Sequence, residues 1–249
     1  MAPQKTTGII LWVRDYSETS QLVNIITPDS GLLKTIAKGA HRPKNPLRGK
    51  LEILNYGAVI YYPSRTSDLH ILSQFDIINS FPEALNTLEK SALYHYLAEL
   101  SSSAAFGEEH SRDLFGLMLQ MLGNPPGVDS ITTARLWFEI HYLNKLGVLP
   151  SFDHCVHCRG PLRQGIKFSL QELGWLCSEC DKGGSELVNI EPGVMAVIRY
   201  ILRSRLEQVE KLKLSRNQTA LLNRLLSYLV DRAVHKKLKS RRFLNHVIN

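Results

Sequence analysis

The chain has 249 residues, 44% hydrophobic and 21% charged, a balance that describes one large or two to three small globular domains and excludes a disordered chain. No apolar run approaches bilayer-spanning length, and the opening residues 1–8 lack the apolar core of an export signal, so a cytoplasmic protein without a membrane segment is expected. The net charge of +7 is uneven: residues 1–80 carry +3, 81–150 carry −4, 151–190 carry −1 and 191–249 carry +9, which points to a polyanion-binding surface built from the two ends.

Residues 7–13 and 21–27 are short β-branched and apolar runs separated by a polar turn at 14–20. Pro28-Asp29-Ser30-Gly31 is a turn signal, and residues 32–37 follow as a third strand. Residues 58–62 and 69–72 supply a fourth and fifth, divided by 63–68. Five short strands with no convincing helix between most of them suggest a small barrel or sandwich. A five-stranded OB-type barrel is the economical choice because closure protects its edges, with another small β fold open on pattern alone.

Between β-like segments lies the most informative basic stretch. Lys34, Lys38, Arg42, Lys44, Arg48 and Lys50 fall between Asp29 and Glu52 with no acid among them. Glycines and prolines make this a shaped loop, and Arg42 and Arg48 can each grip a phosphate bidentately. These six are the candidate DNA-binding residues; a solvated loop with a chance excess of cations is the competing reading. Trp12, Tyr61 and Tyr62 are weaker candidates for base-stacking faces.

From Pro82 the period turns helical. A helix is predicted from Pro82 to about Ala105, with Leu85, Leu88, Ala92, Tyr96 and Leu100 on one face. A second runs from 113 to 122, and a third from 132 to 146 with Gly147 at its C′ position. Pro192 opens another helix, and Ser215 is placed to N-cap the last long one, whose apolar face holds Leu221, Leu222, Leu225, Leu226 and Leu229. Arg232, Lys236, Lys237, Lys239, Arg241 and Arg242 follow with no acid after Asp231; they are possible DNA contacts or simply a charged helix end.

The helical array is interrupted by all four cysteines, Cys155-Val156-His157-Cys158 and, eighteen residues on, Cys177-Ser178-Glu179-Cys180. Two Cys-x-x-Cys hooks at this separation match a four-thiolate zinc site. Four protein ligands leave no open position, so Zn²⁺ here would be structural. The stretch 152–186 has few large apolar residues, so a metal could supply the folding energy its own core lacks. Disulfides belong to oxidising compartments, a thioredoxin-like site needs a βαβ setting, and a nucleobase deaminase needs Pro directly before its Cys-x-x-Cys, where this chain has His154 and Leu176. No phosphate-binding Gly-rich loop, Gly-x-Ser-x-Gly elbow or His-Glu-x-x-His is present, and no catalytic residue is assigned.

Taken together, Ser17-Glu18-Thr19-Ser20, Asp29-Ser30-Gly31, the run Ala37 to Lys44, Leu47-Arg48-Gly49, the run Phe138 to Gly147, Phe168-Ser169-Leu170 and Gly174-Trp175-Leu176-Cys177 occur in one order along most of the chain. In this the chain resembles the RecO family of bacterial recombination mediators. The resemblance implies an α+β multidomain protein: an OB-fold in residues 1–80, a helical domain in 81–150 and 187–249, and a zinc module in 151–186 inserted into it. It further implies binding of single- and double-stranded DNA, ATP-independent strand annealing, and action with RecR and the C-terminal tail of single-stranded DNA-binding protein to load RecA. A zinc-containing protein–protein adaptor without annealing activity is the alternative, and a zinc-containing nucleic-acid-modifying enzyme ranks third.

Overall fold

The computed structural model describes residues 2–103, 108–162, 166–183 and 187–248, which fall into two compact units, one drawn from 1–128 and 238–249 and the other from 129–237. In the first, β1 (Gln4–Asp15), β2 (Gln21–Thr27), β3 (Gly31–Ala37), β4 (Tyr56–Tyr62) and β5 (Leu69–Asn79) close into a barrel of order β1-β2-β3-β5-β4. Every pairing is antiparallel except β3 with β5. This is the OB-fold barrel.

Period-two patterning explains the inside and outside of each strand. In β3, Leu33, Thr35 and Ala37 point inward while Lys34 is exposed; in β4, Gly57, Val59 and Tyr61 are buried. β1 is long enough to serve two neighbours, pairing with β4 through residues 4–9 and with β2 through 9–15, and a register shift between Ile10 and Trp12 lets it bend. Where β1 meets β4, Gly8 lies opposite Gly57. A Cβ at Gly8 would sit 2.4 Å from Ile25 Cγ2 and one at Gly57 2.5 Å from the Asp76 carbonyl, so no side chain fits at this crossing.

The β3–β4 connection, residues 38–55, is a chain of turns whose apolar members reach into the barrel. Ala40, Leu47 and Leu51 join Val23, Ile25 and Phe75 in one core cluster. Leu54 is fully buried, and its N–H donates to the Ile10 carbonyl at 2.8 Å.

Among the described residues seven α-helices follow: α1 (Leu88–Ser103), α2 (Glu108–Gly123), α3 (Ile131–Lys145), α4 (Pro192–Arg203), α5 (Leu206–Val209), α6 (Arg216–Val234) and α7 (Lys239–Ile248). The predicted helix from Pro82 is broken at its start. Phe81 adopts φ 47°, Pro82–Ala84 form a separate 3-10 turn, and the helix proper begins at Leu88. Leu85 and Leu88, expected on the buried face, are therefore 37% and 60% exposed. The predicted end near Ala105 lies outside the described residues. α1 is buried on most sides because β1 and β2 pack on one flank and α7 on another. The Glu99 carboxylate accepts from the N–H of Lys239 at 3.3 Å and of Ser240 at 2.9 Å, and from the Ser240 hydroxyl, capping the start of α7.

In the second unit α3 is the central helix, packed by α4, α5 and α6. Its ending at Gly147, φ 66°, follows the C′ expectation. Ser215 caps α6 as predicted: its hydroxyl accepts from the Gln218 N–H at 3.1 Å while the Gln218 side chain accepts from the Ser215 N–H at 3.0 Å. A buried ion pair, Arg135 with Glu139 at 3.1 Å, lies on α3, and Arg135 also donates to the Asn223 side chain on α6. Removing either partner would take the opposing charge away from the other in the core, which is costly.

The cysteine-bearing segment holds more core than its sequence suggests. β6 (Lys167–Ser169), β7 (Gly174–Leu176) and β8 (Leu187–Asn189) form a small sheet ordered β7-β6-β8. The Trp175 ring lies 5.3 Å from Phe152 and 4.9 Å from Phe168 by centroids, a buried aromatic cluster.

Leu47→Ala removes a fully enclosed anchor of the 38–55 connection. Urea unfolding is expected to show a loss of about 2–5 kcal/mol, with hydrogen exchange accelerating first in residues 38–50.

Candidate metal centre and nucleic-acid interface

The four thiols converge. Their Sγ atoms all lie within 4.8 Å of one another, and Cys158 and Cys177 are 3.8 Å apart, with no disulfide among the four. A tetrahedron of thiolates about 2.3 Å from a zinc ion has edges of about 3.8 Å, whereas a disulfide needs sulfurs about 2 Å apart. The donor set and its spacing fit a four-coordinate soft-metal site. Two backbone knuckles present the sulfurs. In the first, the Arg159 N–H donates to the Cys155 carbonyl at 3.0 Å, and in the second the Cys180 N–H donates to the Cys177 carbonyl at 3.1 Å.

The cluster's electrostatics also suit a cation. Burial pushes the Cys155 thiol up, but backbone N–H groups of Cys158, Cys177 and His157 outweigh it and bring the pKa down to about 6. Hydrogen bonds with Cys158 and Cys177, burial and the charge on Cys155 push Cys180 up to about 12. Four crowded thiols thus resist becoming four thiolates by themselves; a divalent ion at their centre supplies the charge that lets them do so. His154 is exposed, and His157 Nε2 lies 3.0 Å from Glu172 Oε1; neither belongs to the sulfur cluster.

The segment is fastened to the helices of its own unit. Arg199 on α4 donates to the Phe152 carbonyl at 2.6 Å, and the Tyr228 hydroxyl on α6 donates to the Leu170 carbonyl at 2.8 Å. Lys167 pairs with Asp181 beside the second knuckle, and that pairing, with the Gly183 N–H, lowers the Asp181 pKa.

The basic loop is held as a shaped surface. Its turns are closed by Arg42 N–H to Gly39 O at 2.9 Å, Asn45 N–H to Arg42 O at 3.0 Å and Arg48 N–H to Asn45 O at 3.2 Å. The Asn45 side chain spans the loop, donating to the Lys38 carbonyl at 3.0 Å and accepting from the Leu47 N–H at 2.8 Å. Gly39 sits at φ 66°, a conformation that costs a side-chain-bearing residue strain. Lys34, Lys38, Arg42, Lys44 and Arg48 are all exposed, and none forms an ion pair among the described residues. Lys50 differs: it is half-buried and bonded to Asp76 at 2.9 Å, and this bond, with one from Gln74, lowers the Asp76 pKa.

The loop is stitched to the β1–β2 turn. The Gly39 N–H donates to the Ser20 hydroxyl at 3.2 Å, the His41 N–H to the Thr19 carbonyl at 3.1 Å, and the His41 ring meets Asp15 at 2.9 Å. Between the two segments lies a cleft of about 480 Å³, lined by Tyr16, Ser17, Thr19, Ser20, Ile36, Lys38, Gly39, Arg42 and Asn45.

The expected aromatic faces sort by strand parity. Tyr61 points inward, is 3% exposed, and its hydroxyl donates to Gln4 Oε1 at 2.5 Å, so it cannot stack on a ligand. Tyr62 faces out, and Trp12 is partly buried. The aromatic the sequence reading passed over is Tyr16, 63% exposed on the β1–β2 turn and in the cleft with Lys38 and Arg42. Its signal was an aromatic inside an otherwise polar turn.

The C-terminal cations divide. Arg232, Lys236, Lys237, Lys239 and Arg242 are exposed; the first three belong to the second compact unit, the last two to the first. Arg241 is buried, with its guanidinium 5.6 Å from the Tyr96 ring centroid and its Nε 3.4 Å from the Tyr96 hydroxyl. It holds α7 against α1 and is withdrawn from phosphate.

A closed OB barrel with a cationic connecting loop, followed by a helical array carrying a four-thiol module, places the chain among multidomain OB-barrel proteins. The description "Recombination protein O N terminal" matches residues 1–81, and "Recombination protein O C terminal" matches residues 85–242. The chain belongs to the RecO family. Curated relatives bearing the name DNA repair protein RecO match nearly end to end. The Clostridium kluyveri protein is 30% identical over 247 residues, covering 98% of this chain and 94% of the relative. That of Halalkalibacterium halodurans is 28% identical over 244 residues, with coverage of 98% and 94%, and that of Clostridium perfringens 28% over 249 residues, with 99% and 99%. Among the described residues no helix is long and apolar enough to cross a membrane.

A strong chelator, or Cys155→Ser, is expected to release one equivalent of metal measured by mass spectrometry and to red-shift emission from Trp175. The accompanying loss of at least about 2 kcal/mol would lower the melting transition by roughly 4–8 °C.

Proposed function

We propose that this chain is a DNA-binding recombination mediator. It binds single- and double-stranded DNA, anneals complementary strands without ATP, and acts with RecR and the C-terminal tail of single-stranded DNA-binding protein to load RecA in recombinational repair. The observation that carries the reading is strand β3 with the β3–β4 loop, where five exposed cations without ion pairs among the described residues stand on a surface pinned into the barrel core. Family membership supports it. The division of labour we propose keeps residues 1–80 as the DNA-binding barrel, 151–186 as a zinc module, and 81–150 with 187–249 as the helical part, although α1, α2 and α7 share the barrel's compact unit.

In this reading Lys34, Lys38, Arg42, Lys44 and Arg48 contact phosphates, with Lys50 contributing only when it exchanges its Asp76 partner for one. Arg232, Lys236, Lys237, Lys239 and Arg242 form a second set. Annealing needs no covalent step: cations that neutralise two backbones lower the repulsion that keeps complementary strands apart. Cys155, Cys158, Cys177 and Cys180 hold a structural Zn²⁺, which orders their segment and takes no part in pairing. The protein works in the bacterial cytoplasm, at the nucleoid.

If Lys34 and the four exposed loop cations each neutralise one phosphate of a single strand, log affinity falls with log salt at a slope of about −3.5. Lys38→Glu with Arg42→Glu is expected to flatten that slope by about 1.4 and to abolish annealing of strands coated with single-stranded DNA-binding protein, assayed with and without RecR. An unchanged slope overturns the loop assignment. Binding of protein partners without any annealing supports the adaptor in its place.

A further inference from the structure

The geometry points to a nucleotide-sized subsite in the cleft between the β1–β2 turn and the basic loop, which takes one unpaired nucleotide with its base against Tyr16 and its phosphate on Lys38 and Arg42. It rests on the DNA reading and adds what that reading leaves open, a means of preferring single strands.

Three observations converge on this cleft. Its volume, about 480 Å³, falls in the range of small-ligand pockets, and its lining is chemically divided. The turn contributes Tyr16, Ser17 and Thr19; the opposite segment contributes Ile36, Lys38 and Arg42. A nucleotide is divided the same way, into a flat π face, a hydroxylated sugar and an anion. Tyr16 is 63% exposed, the most exposed of the large hydrophobic side chains on the chain's described surface. An aromatic ring left in water beside two cations has a partner class that supplies both needs, since every base has a π face and carries a phosphate.

The walls are fixed by groups other than those that would bind. Ser20 accepts from the Gly39 N–H, Asn45 spans Lys38 and Leu47, and the Tyr16 N–H donates to the Ser20 carbonyl at 2.9 Å. The acid that precedes Tyr16 in the chain is engaged. Asp15 meets the His41 ring and accepts from the Gln21 side chain at 3.2 Å, and these bonds, His41 first, lower its pKa. Glu18, also in the turn, does not line the cleft. The ligand-facing side chains therefore keep a net positive charge, and none of the hydrogen bonds that fix the walls uses the Tyr16 side chain.

A duplex keeps its bases stacked inside and offers the cleft only a phosphate, so it can use Lys38 and Arg42 but not Tyr16. A single strand can turn one base outward and use all of it. Tyr16 is then the group that separates the two substrates, while the cations set the affinity common to both.

The test compares wild type, Tyr16→Ala and Tyr16→Phe for binding to an oligothymidine and to a hairpin duplex of matched length at fixed salt, by fluorescence anisotropy. A second readout is the quenching of 2-aminopurine placed in a single strand. Tyr16→Ala is expected to lower the ratio of single-strand to duplex affinity by roughly 5- to 150-fold and to abolish the quenching, and Tyr16→Phe to restore both. Thermal unfolding checks that each variant is folded. An unchanged ratio in a folded Tyr16→Ala, or a Tyr16→Phe that behaves like it, overturns the subsite while leaving cation-driven DNA binding intact. Failure of the wild type to bind either DNA overturns the subsite together with the reading beneath it.

Discussion

Burial of Leu47 inside the barrel is the contact on which the cationic surface depends. A loop whose residues 38–50 carry five Lys and Arg and no acid repels itself and, left to its charges, would extend into solvent. Here Ala40, Leu47 and Leu51 are part of the same apolar cluster as Val23, Ile25 and Phe75, so the repulsion is opposed by core burial at several points along the segment. The turn hydrogen bonds then convert three anchored positions into a defined backbone path. A rigid cationic loop costs less entropy when it meets a polyanion than a floppy one of equal charge.

The thiol cluster and the aromatic trio of Phe152, Phe168 and Trp175 divide the stabilisation of their segment between them. Neither suffices alone: three short strands and three rings are a small core, and four thiols held within a few ångströms disfavour their own ionisation. The ring cluster gives this segment apolar burial of its own, in addition to whatever ordering a metal at the four sulfurs would supply.

Much of the fold was legible because the deciding signals are local. Strand parity, the Gly147 ending, the Ser215 cap and the spacing of the cysteines each depend on residues a few positions apart. What escaped was non-local or turned on one dihedral. The positive φ at Phe81 ended one element and began another, which put Leu85 and Leu88 in solvent despite their helical spacing. The aromatic trio joins residues from distant points in the chain, and nothing in the spacing of Phe152, Phe168 and Trp175 announces a shared core. Among the candidate contacts, Tyr61 and Tyr62 differ by one position and so face opposite sides of the barrel wall, and Arg241 is distinguished from Arg242 only by which side of α7 meets Tyr96. Tyr16 was hidden by its setting, since a turn between strands is read for its backbone and seldom for its side chains.

The Glu99 cap on α7 has a consequence for the order of events on the ribosome. Glu99 and Ser240 are 141 residues apart in sequence, yet their hydrogen bonds belong to the same compact unit as the barrel. The five strands can close early in synthesis, but one flank of α1 has no partner until almost the last residue has left the exit tunnel. During that interval residues 129–237 are made and can fold as a unit of their own. The nascent barrel thus carries an apolar helix face that has to be shielded for the time it takes to translate more than half of the protein.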